Sequence, residues 1–294
     1  MQAAKGRIVA IGGNEDKGTL PTTEADELKK PSNFFDQGIL KRIHDELHGL
    51  GTRIEVITTA TRFPEEVGNV YLAAFLKLGC DNVGILPIQQ PEDTSRVEYL
   101  ERVRKADAIM FSGGDQNRLS QILLGSEILH IIKSRYKQEE KFLVSGTSAG
   151  AMALSHIMIN GSLERDPLLK GTVELTEGLG LLEQIIIDTH FVNRRRIPRL
   201  IEAVAAMPSH IGIGLGEDTG ILMKQNFCIE TIGSGLVIII DGRKAHKNNY
   251  PLIKTGEALC VENLILHVLP KGQAYNILTG GFMLEGLLHS QFLL

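Results

Sequence analysis

The sequence predicts an α/β fold: a doubly wound, mostly parallel sheet flanked by helices, with additional C-terminal strands. Three observations carry this prediction. Short apolar runs alternate with helix-patterned segments through the first two thirds of the chain. The runs are apolar at successive positions, the pattern of strands covered on both faces. Several end in glycine-rich turns, where an open parallel sheet passes from strand to helix. All 294 residues are expected to form a single domain.

In order, Arg7–Ile11 reads as a strand ending in Gly12-Gly13, and Phe34–Gly49 as a helix with Phe35, Ile39, Ile43 and Leu47 on one face. Arg53–Ile57 is a strand, and Pro64–Leu78 is a helix with proline in its first turn. Val83–Ile88, Thr94–Lys105 and Ala108–Phe111 repeat strand, helix, strand, followed by a helix over Asn117–Tyr136 and a strand over Lys141–Ser145. After Ile185–Ile187 and a helix over Arg194–Ala206 the pattern changes to shorter strands: Ile211–Leu215, Gly220–Met223, Phe227–Thr231, Leu236–Ile240 and Leu264–Leu269. These either extend the main sheet or pack beside it. Thr19–Ser32 reads as an exposed polar loop.

Composition narrows the classes. Hydrophobic residues make up 43% and charged residues 22%, ordinary for a globular protein. A net charge of −4 gives no support to a nucleic-acid or anionic-membrane role, while leaving room for local basic patches. The cysteines Cys80, Cys228 and Cys260 are odd in number and far apart, so they suggest neither disulfides nor a metal site; each is expected to be a buried small hydrophobe. No N-terminal apolar leader is legible and no apolar run has the length of a membrane span. The expected location is the cytoplasm.

The sharpest local signal is Gly146-Thr-Ser148-Ala-Gly150, entered by a β-rich run and left through Ala-Met-Ala-Leu. This is the strand–turn–helix setting of a nucleophile elbow. The glycines remove side chains from a tight turn, and the serine is lifted clear at the strand's end. The Ala149 amide then faces the oxyanion formed when Ser148 attacks a carbonyl. The same residues also suit a plain βα turn with a serine helix cap.

A second turn, Ser112-Gly113-Gly114-Asp115-Gln116-Asn117, follows the strand Ala108–Phe111. The Gly114 and Asp115 amides are candidates for the remaining oxyanion donor; the alternative is a helix cap by Asp115. Gly12-Gly13-Asn14-Glu15-Asp16-Lys17 is a third glycine turn, too short for a dinucleotide or P-loop fingerprint.

Ser148 needs a base that works near neutral pH, and histidine is the usual choice. Of the nine histidines, His190 stands out because it closes the apolar run Ile185–Asp188 at the expected rim of the site. It is followed by Arg194, Arg195, Arg196 and Arg199. Cations near a helix start oppose its dipole unless an anion is close. They form either a solvated basic face or a pocket that clamps substrate carboxylates.

Taken together, GGNEDK (12–17), PEEVGNVYLAAFLKLG (64–79), FSGGDQNRL (111–119), GTSAGAMAL (146–154), DTHFVNRRRIPRL (188–200) and GIGLGEDTG (212–220) resemble the cyanophycinases. Their clan includes dipeptidase E-type serine peptidases on a class I glutamine amidotransferase-like, flavodoxin-like sheet. The resemblance implies Ser148 as nucleophile and His190 as base, with an acid between elbow and histidine: Asp166, with Glu164 as the alternative. It implies that Gln116, Asp188, Arg194, Arg196 and Arg199 contact the aspartyl and arginyl parts of the substrate, Arg195 being a free position. The implied substrate is cyanophycin, a polyaspartate with arginine on each β-carboxyl, cut to β-Asp-Arg dipeptides. No metal or organic cofactor is implied, and a homodimer is. Two other functions fit the same residues: hydrolysis of aspartyl or isoaspartyl dipeptides, and non-catalytic binding on the same sheet. Glutamine amidotransfer requires cysteine where this chain has Ser148.

Overall fold

The computed structural model describes residues 4–18, 34–49, 51–162, 167–224 and 227–283. The loop expected over Thr19–Ser32 lies outside them. Five strands form the parallel part of the main sheet: β1 (Arg7–Ile11), β2 (Ile54–Ile57), β3 (Val83–Leu86), β4 (Ala108–Phe111) and β5 (Leu143–Thr147), in spatial order β1-β5-β4-β2-β3. Successive side chains in a strand point to opposite faces, and the core divides accordingly. Ile8, Ala10, Ile109 and Phe111 join one apolar cluster, while Val9, Ile11, Ala108 and Met110 join the other.

Helices cover both faces. On one side lie α1 (Ile39–Asp45) and α2 (Pro64–Lys77), which contribute Ile39, Leu40, Ile43, Tyr71 and Phe75. On the other lie α3 (Val97–Lys105), α4 (Gln116–Leu123), α5 (Glu127–Gln138) and the short α6 (Ala149–Ala153). Each fully buried Ile, Leu or Phe removed from water contributes about 1.5–3 kcal/mol, which is what holds these layers together.

The structure corrects several element boundaries. The helix expected over Asn117–Tyr136 is two, because Gly125 adopts φ +75° and Ser126 caps a new helix by accepting from the Leu129 amide. The helix expected over Thr94–Lys105 begins as a separate 3-10 turn over Pro91–Ser95. The one expected over Phe34–Gly49 is helical only at Ile39–Asp45. An antiparallel hairpin of β6 (Ile157–Ser162) and β7 (Val173–Glu177) follows the elbow helix, where no strand was expected. Cys80 and Cys228 are buried as expected, but Cys260 is exposed.

The late strands do both things the sequence allowed. A second sheet contains β8 (Ile185–Asp188), β9 (Ile211–Leu215), β12 (Val237–Asp241) and β13 (Ile265–Leu269), with β8 and β9 parallel. Helix α7 (Ile197–Ala206) connects β8 to β9. Meanwhile β10 (Thr219–Met223) pairs antiparallel with β1 and extends the main sheet through β11 (Cys228–Gly233), β14 (Ala274–Asn276) and β15 (Gly281–Met283). The chain therefore passes from the second sheet to the main one at Gly216–Asp218, between the end of β9 and the start of β10. That crossing lies beside the carboxyl end of β1, because Gly220 pairs with Ile11. Among the described residues no helix is long and apolar enough to cross a membrane.

Candidate active site

Ser148 sits at the carboxyl end of β5 with φ 50° and ψ −115°, a conformation that side chains rarely adopt. Neighbours impose it. Its amide donates to the Ile11 carbonyl on adjacent β1 at 2.9 Å. A Cβ on Gly146 would lie 2.6 Å from the Gly150 backbone, so the turn closes only with a bare backbone there.

His190 lies two residues beyond β8, with φ 49°, and its amide donates to the Gly12 carbonyl at 2.9 Å. Its ring packs on the Gly13 backbone so closely that a Cβ at Gly13 would fall 2.5 Å from the imidazole. The ring Nε2 is 2.9 Å from Ser148 Oγ. The ring Nδ1 is 2.8 Å from Glu217 Oε1, and Asn193 Nδ2 donates to Glu217 Oε2 at 3.3 Å. With the proton on Nδ1 facing the carboxylate, Nε2 is left as an acceptor for the serine proton. Serine, imidazole and carboxylate thus form one hydrogen-bonded line, an arrangement that can activate a hydroxyl for attack on a carbonyl.

Glu217 is the residue that sequence reasoning missed. Asp166 and Glu164, the acids expected there, lie outside the described residues, and the Nδ1 position is filled by Glu217. The reason is topological. Strands β8 and β9 are parallel neighbours, with Asp188 opposite Gly214, so the residues just past their ends emerge side by side. A signal was present: Glu217 follows the apolar run Ile211–Leu215 much as His190 follows Ile185–Asp188.

The oxyanion candidates divide. The Ala149 amide is in the first turn of α6, where helix N–H groups lack intrahelical partners. The β4–α4 turn lies over the serine: a Cβ on Gly113 would be 3.4 Å from Ser148 Cβ. Gly114, at φ 144°, belongs to the same turn, and neither glycine's amide has a backbone partner among the described residues. Asp115 is excluded as a donor, because its amide donates to the Ala60 carbonyl at 2.8 Å. Its side chain instead caps α4 by accepting from the Asn117 amide. Gln116 Nε2 donates to the Ile159 and Asn160 carbonyls of β6, so that nitrogen ties two elements together rather than facing an open cleft.

The arginines precede α7 more than they enter it: Arg196 is its N-cap, and only Arg199 lies in its first turn. The anion that compensates them is internal. Asp188 is fully buried and accepts from Arg196 at 3.3 Å, from Arg199 Nε at 2.6 Å and again from Arg199 Nη2. Asp188 therefore lies beneath the arginines as their counterion, and the expectation that it lines the pocket is corrected. Burial pushes the Arg196 guanidinium down to about 10, Asp188 offsetting part of this and Arg199 and Arg194 adding to it. A cavity of about 400 Å³ opens here between Arg194, Arg195, Arg196 and Arg199 on one side and Ser162, Leu168 and Thr172 on the other. Arg195, read from the sequence as a free position, lines it too. The turn carrying these arginines is fastened to the site, since the Arg194 amide donates to the His190 carbonyl at 2.9 Å. A second cavity of about 400 Å³, lined by Lys133, Tyr136 and Leu182 among others, contains none of these residues.

A parallel α/β sheet with a serine elbow answered by histidine and carboxylate defines a serine-type hydrolytic enzyme. The chain belongs to peptidase family S51: the model of that family matches residues 32–230, and the chain is a serine-type peptidase. It is 34% identical to a cyanophycinase of Synechococcus elongatus over 94% of this chain and 80% of that one. It is 32% identical to a cyanophycinase of Geminocystis herdmanii, covering 94% of this chain and 95% of that one. The resemblance read from the sequence is thereby borne out. Among solved structures, a peptidase from an acI-B1 Actinobacterium superposes with a TM-score of 0.61 at 22% identity, covering 94% of this chain and 98% of that one. This similarity bears on the fold alone.

Proposed function

We propose that this peptidase degrades cyanophycin to β-Asp-Arg dipeptides by acyl transfer to Ser148 and subsequent hydrolysis. The observation that carries the reading is the line Ser148–His190–Glu217, joined through one short turn to a cavity walled by four arginines. His190 takes the serine proton as Oγ attacks the scissile carbonyl, and Glu217 holds the imidazole in the required tautomer and stabilises its charged form. The tetrahedral oxyanion is met by the Ala149 amide and by the Gly113–Gly114 turn. His190 then returns its proton to the leaving amine. A water activated by the same histidine releases the acyl group.

The arginines suit a substrate rich in carboxylates. With Arg196 and Arg199 sharing Asp188, the cavity wall keeps an excess of positive charge, and planar guanidinium groups bind carboxylates bidentately. The relatives' names supply the substrate, and the cavity's charge agrees with a polyaspartate backbone. The proposal extends to one hydrolytic unit over the whole chain, acting in the cytoplasm as a homodimer without a metal or organic cofactor.

The test is incubation of the purified protein with insoluble cyanophycin, followed by mass analysis of the soluble fraction. β-Asp-Arg from the wild type and none from Ser148→Ala is the expected result. Turnover of isoaspartyl dipeptides with an untouched polymer would overturn it in favour of a dipeptidase.

A further inference from the structure

The turn Gly12–Asp16 and the end of β1 before it run alongside the proposed catalytic line. The Ile11 carbonyl that precedes it accepts from Ser148, the Gly12 carbonyl accepts from His190, and the Gly13 carbonyl accepts from Asp218, next to Glu217, each at 2.9 Å. The Asp16 amide returns a hydrogen bond to Asp218 Oδ1 at 3.1 Å. At its centre Glu15 sends its carboxylate inward, with the side chain 1% exposed. Oε2 accepts from the Thr147 hydroxyl at 2.7 Å, and Oε1 accepts from the Tyr71 hydroxyl at 2.5 Å. Lys17 Nζ approaches Oε1 at 3.1 Å and caps the Tyr71 ring, 5.2 Å from its centroid.

A buried carboxylate is costly unless its oxygens are satisfied and its charge is matched. Here both conditions are met by groups that have no part in proton transfer. Tyr71 remains a donor at working pH, because burial and the neighbouring Glu15 charge raise its hydroxyl well above the ordinary value. Thr147 is the last residue of β5, immediately before the strained Ser148. An anchor on residue 147 therefore limits rotation of the one peptide whose orientation sets where Ser148 Oγ stands relative to His190.

We propose that Glu15 is a positioning residue that holds the nucleophile elbow through the Thr147 hydroxyl. This rests on Ser148 being the nucleophile. Small displacements of a reacting atom are expensive, since about 1 Å costs roughly a hundredfold in rate. The elbow needs such an anchor because its backbone sits outside the favoured regions and relaxes once unrestrained.

The experiment compares Thr147→Val, Thr147→Ser and wild type. It measures kcat and KM on cyanophycin, melting temperature, and the rate and stoichiometry of Ser148 labelling by a fluorophosphonate. Thr147→Val keeps the side-chain shape and removes the hydroxyl; Thr147→Ser keeps the hydroxyl. The expected result is a fall in kcat and labelling rate of about tenfold or more for Thr147→Val, with KM within twofold and full final labelling, and recovery in Thr147→Ser. Adding Glu15→Gln to Thr147→Val should then lower kcat little further, because the carboxylate acts through that hydroxyl. A Thr147→Val enzyme that labels at the wild-type rate overturns the inference. So does a kcat loss that disappears when normalised to the titrated fraction of folded enzyme. If the wild type itself is not labelled at Ser148, the nucleophile assignment fails, a separate outcome.

Discussion

His190 Nδ1 lies 2.8 Å from Glu217 Oε1, across 27 residues of chain. The two side chains meet because each follows the end of one of two adjacent parallel strands. Glu217→Gln should therefore retain the fold, while kcat/KM falls by about 10⁴, the size of effect seen when a triad carboxylate is made neutral and the imidazole tautomer is lost. Asp166→Asn and Glu164→Gln, measured alongside, should stay within a few-fold of wild type. A large loss at either of those positions with an active Glu217→Gln would reassign the acid.

Ser148 and His190 are joined by one hydrogen bond and should fail as a unit. Ser148→Ala is expected to lose on the order of 10⁶ in kcat, His190→Ala nearly as much, and the double variant hardly more than either. Multiplicative losses in the double variant would show that the 2.9 Å contact between them does not transfer a proton.

Asp188 is completely buried and shared by Arg196 and Arg199. Removing one partner of a buried pair leaves an uncompensated charge and costs about 3–5 kcal/mol. Arg199→Ala should consequently lower the melting temperature by several degrees, and Arg196→Lys should lower both stability and activity. Arg194→Lys, at an exposed position, should leave the melting temperature unchanged and reduce turnover of the aspartyl substrate only. Thermal unfolding and KM measured on the three variants separate the internal from the outward-facing arginines. An Arg199→Ala protein as stable as wild type would remove Asp188 from its role as counterion.

A second charge cluster ties α1 to the strands on which the site is built. Burial works to raise the Glu46 carboxyl, but Lys224 and Arg42 overcome it and hold the group below its ordinary value of 4.5. Arg7 on β1 adds a contact at 3.1 Å. A carboxyl with a depressed folded-state pKa contributes stability that is present above the unfolded value and lost as the pH falls through the folded one. Glu46→Gln should therefore lower the melting temperature at neutral pH, with the gap from wild type closing as the pH falls below about 4.5. A gap constant between pH 7 and pH 3 would mean that hydrogen bonding, not charge, makes the contribution.

Much of the site is legible in the sequence. Gly146, Ser148 and Gly150 announce an elbow because a strand-to-helix turn excludes side chains at fixed offsets, and that constraint is local. His190 was recognisable from its place at the end of an apolar strand. What was misread involved partners chosen across the chain. The Asp115 amide is an oxyanion candidate by sequence, but in the fold it donates its hydrogen bond to the Ala60 carbonyl on a different loop. Asp188 looked like part of a pocket, but the fold places it under the guanidinium groups it shares a motif with.

The sequence by itself determined the alternation of strands and helices, the two-sided burial of the parallel strands, the serine turn and the family. Each of these is written in local periodicity or in turn geometry that only certain residues tolerate. The tertiary structure decided that Glu217 answers His190, that Glu15 reaches beneath the elbow to Thr147, and which arginines look outward. Those choices follow from β8 lying parallel beside β9, from β1 lying parallel beside β5 with Ile11 opposite Thr147, and from β10 returning along β1. Strand pairing of this kind is selected by the burial of whole faces, so no short stretch of residues records which distant side chains it brings together.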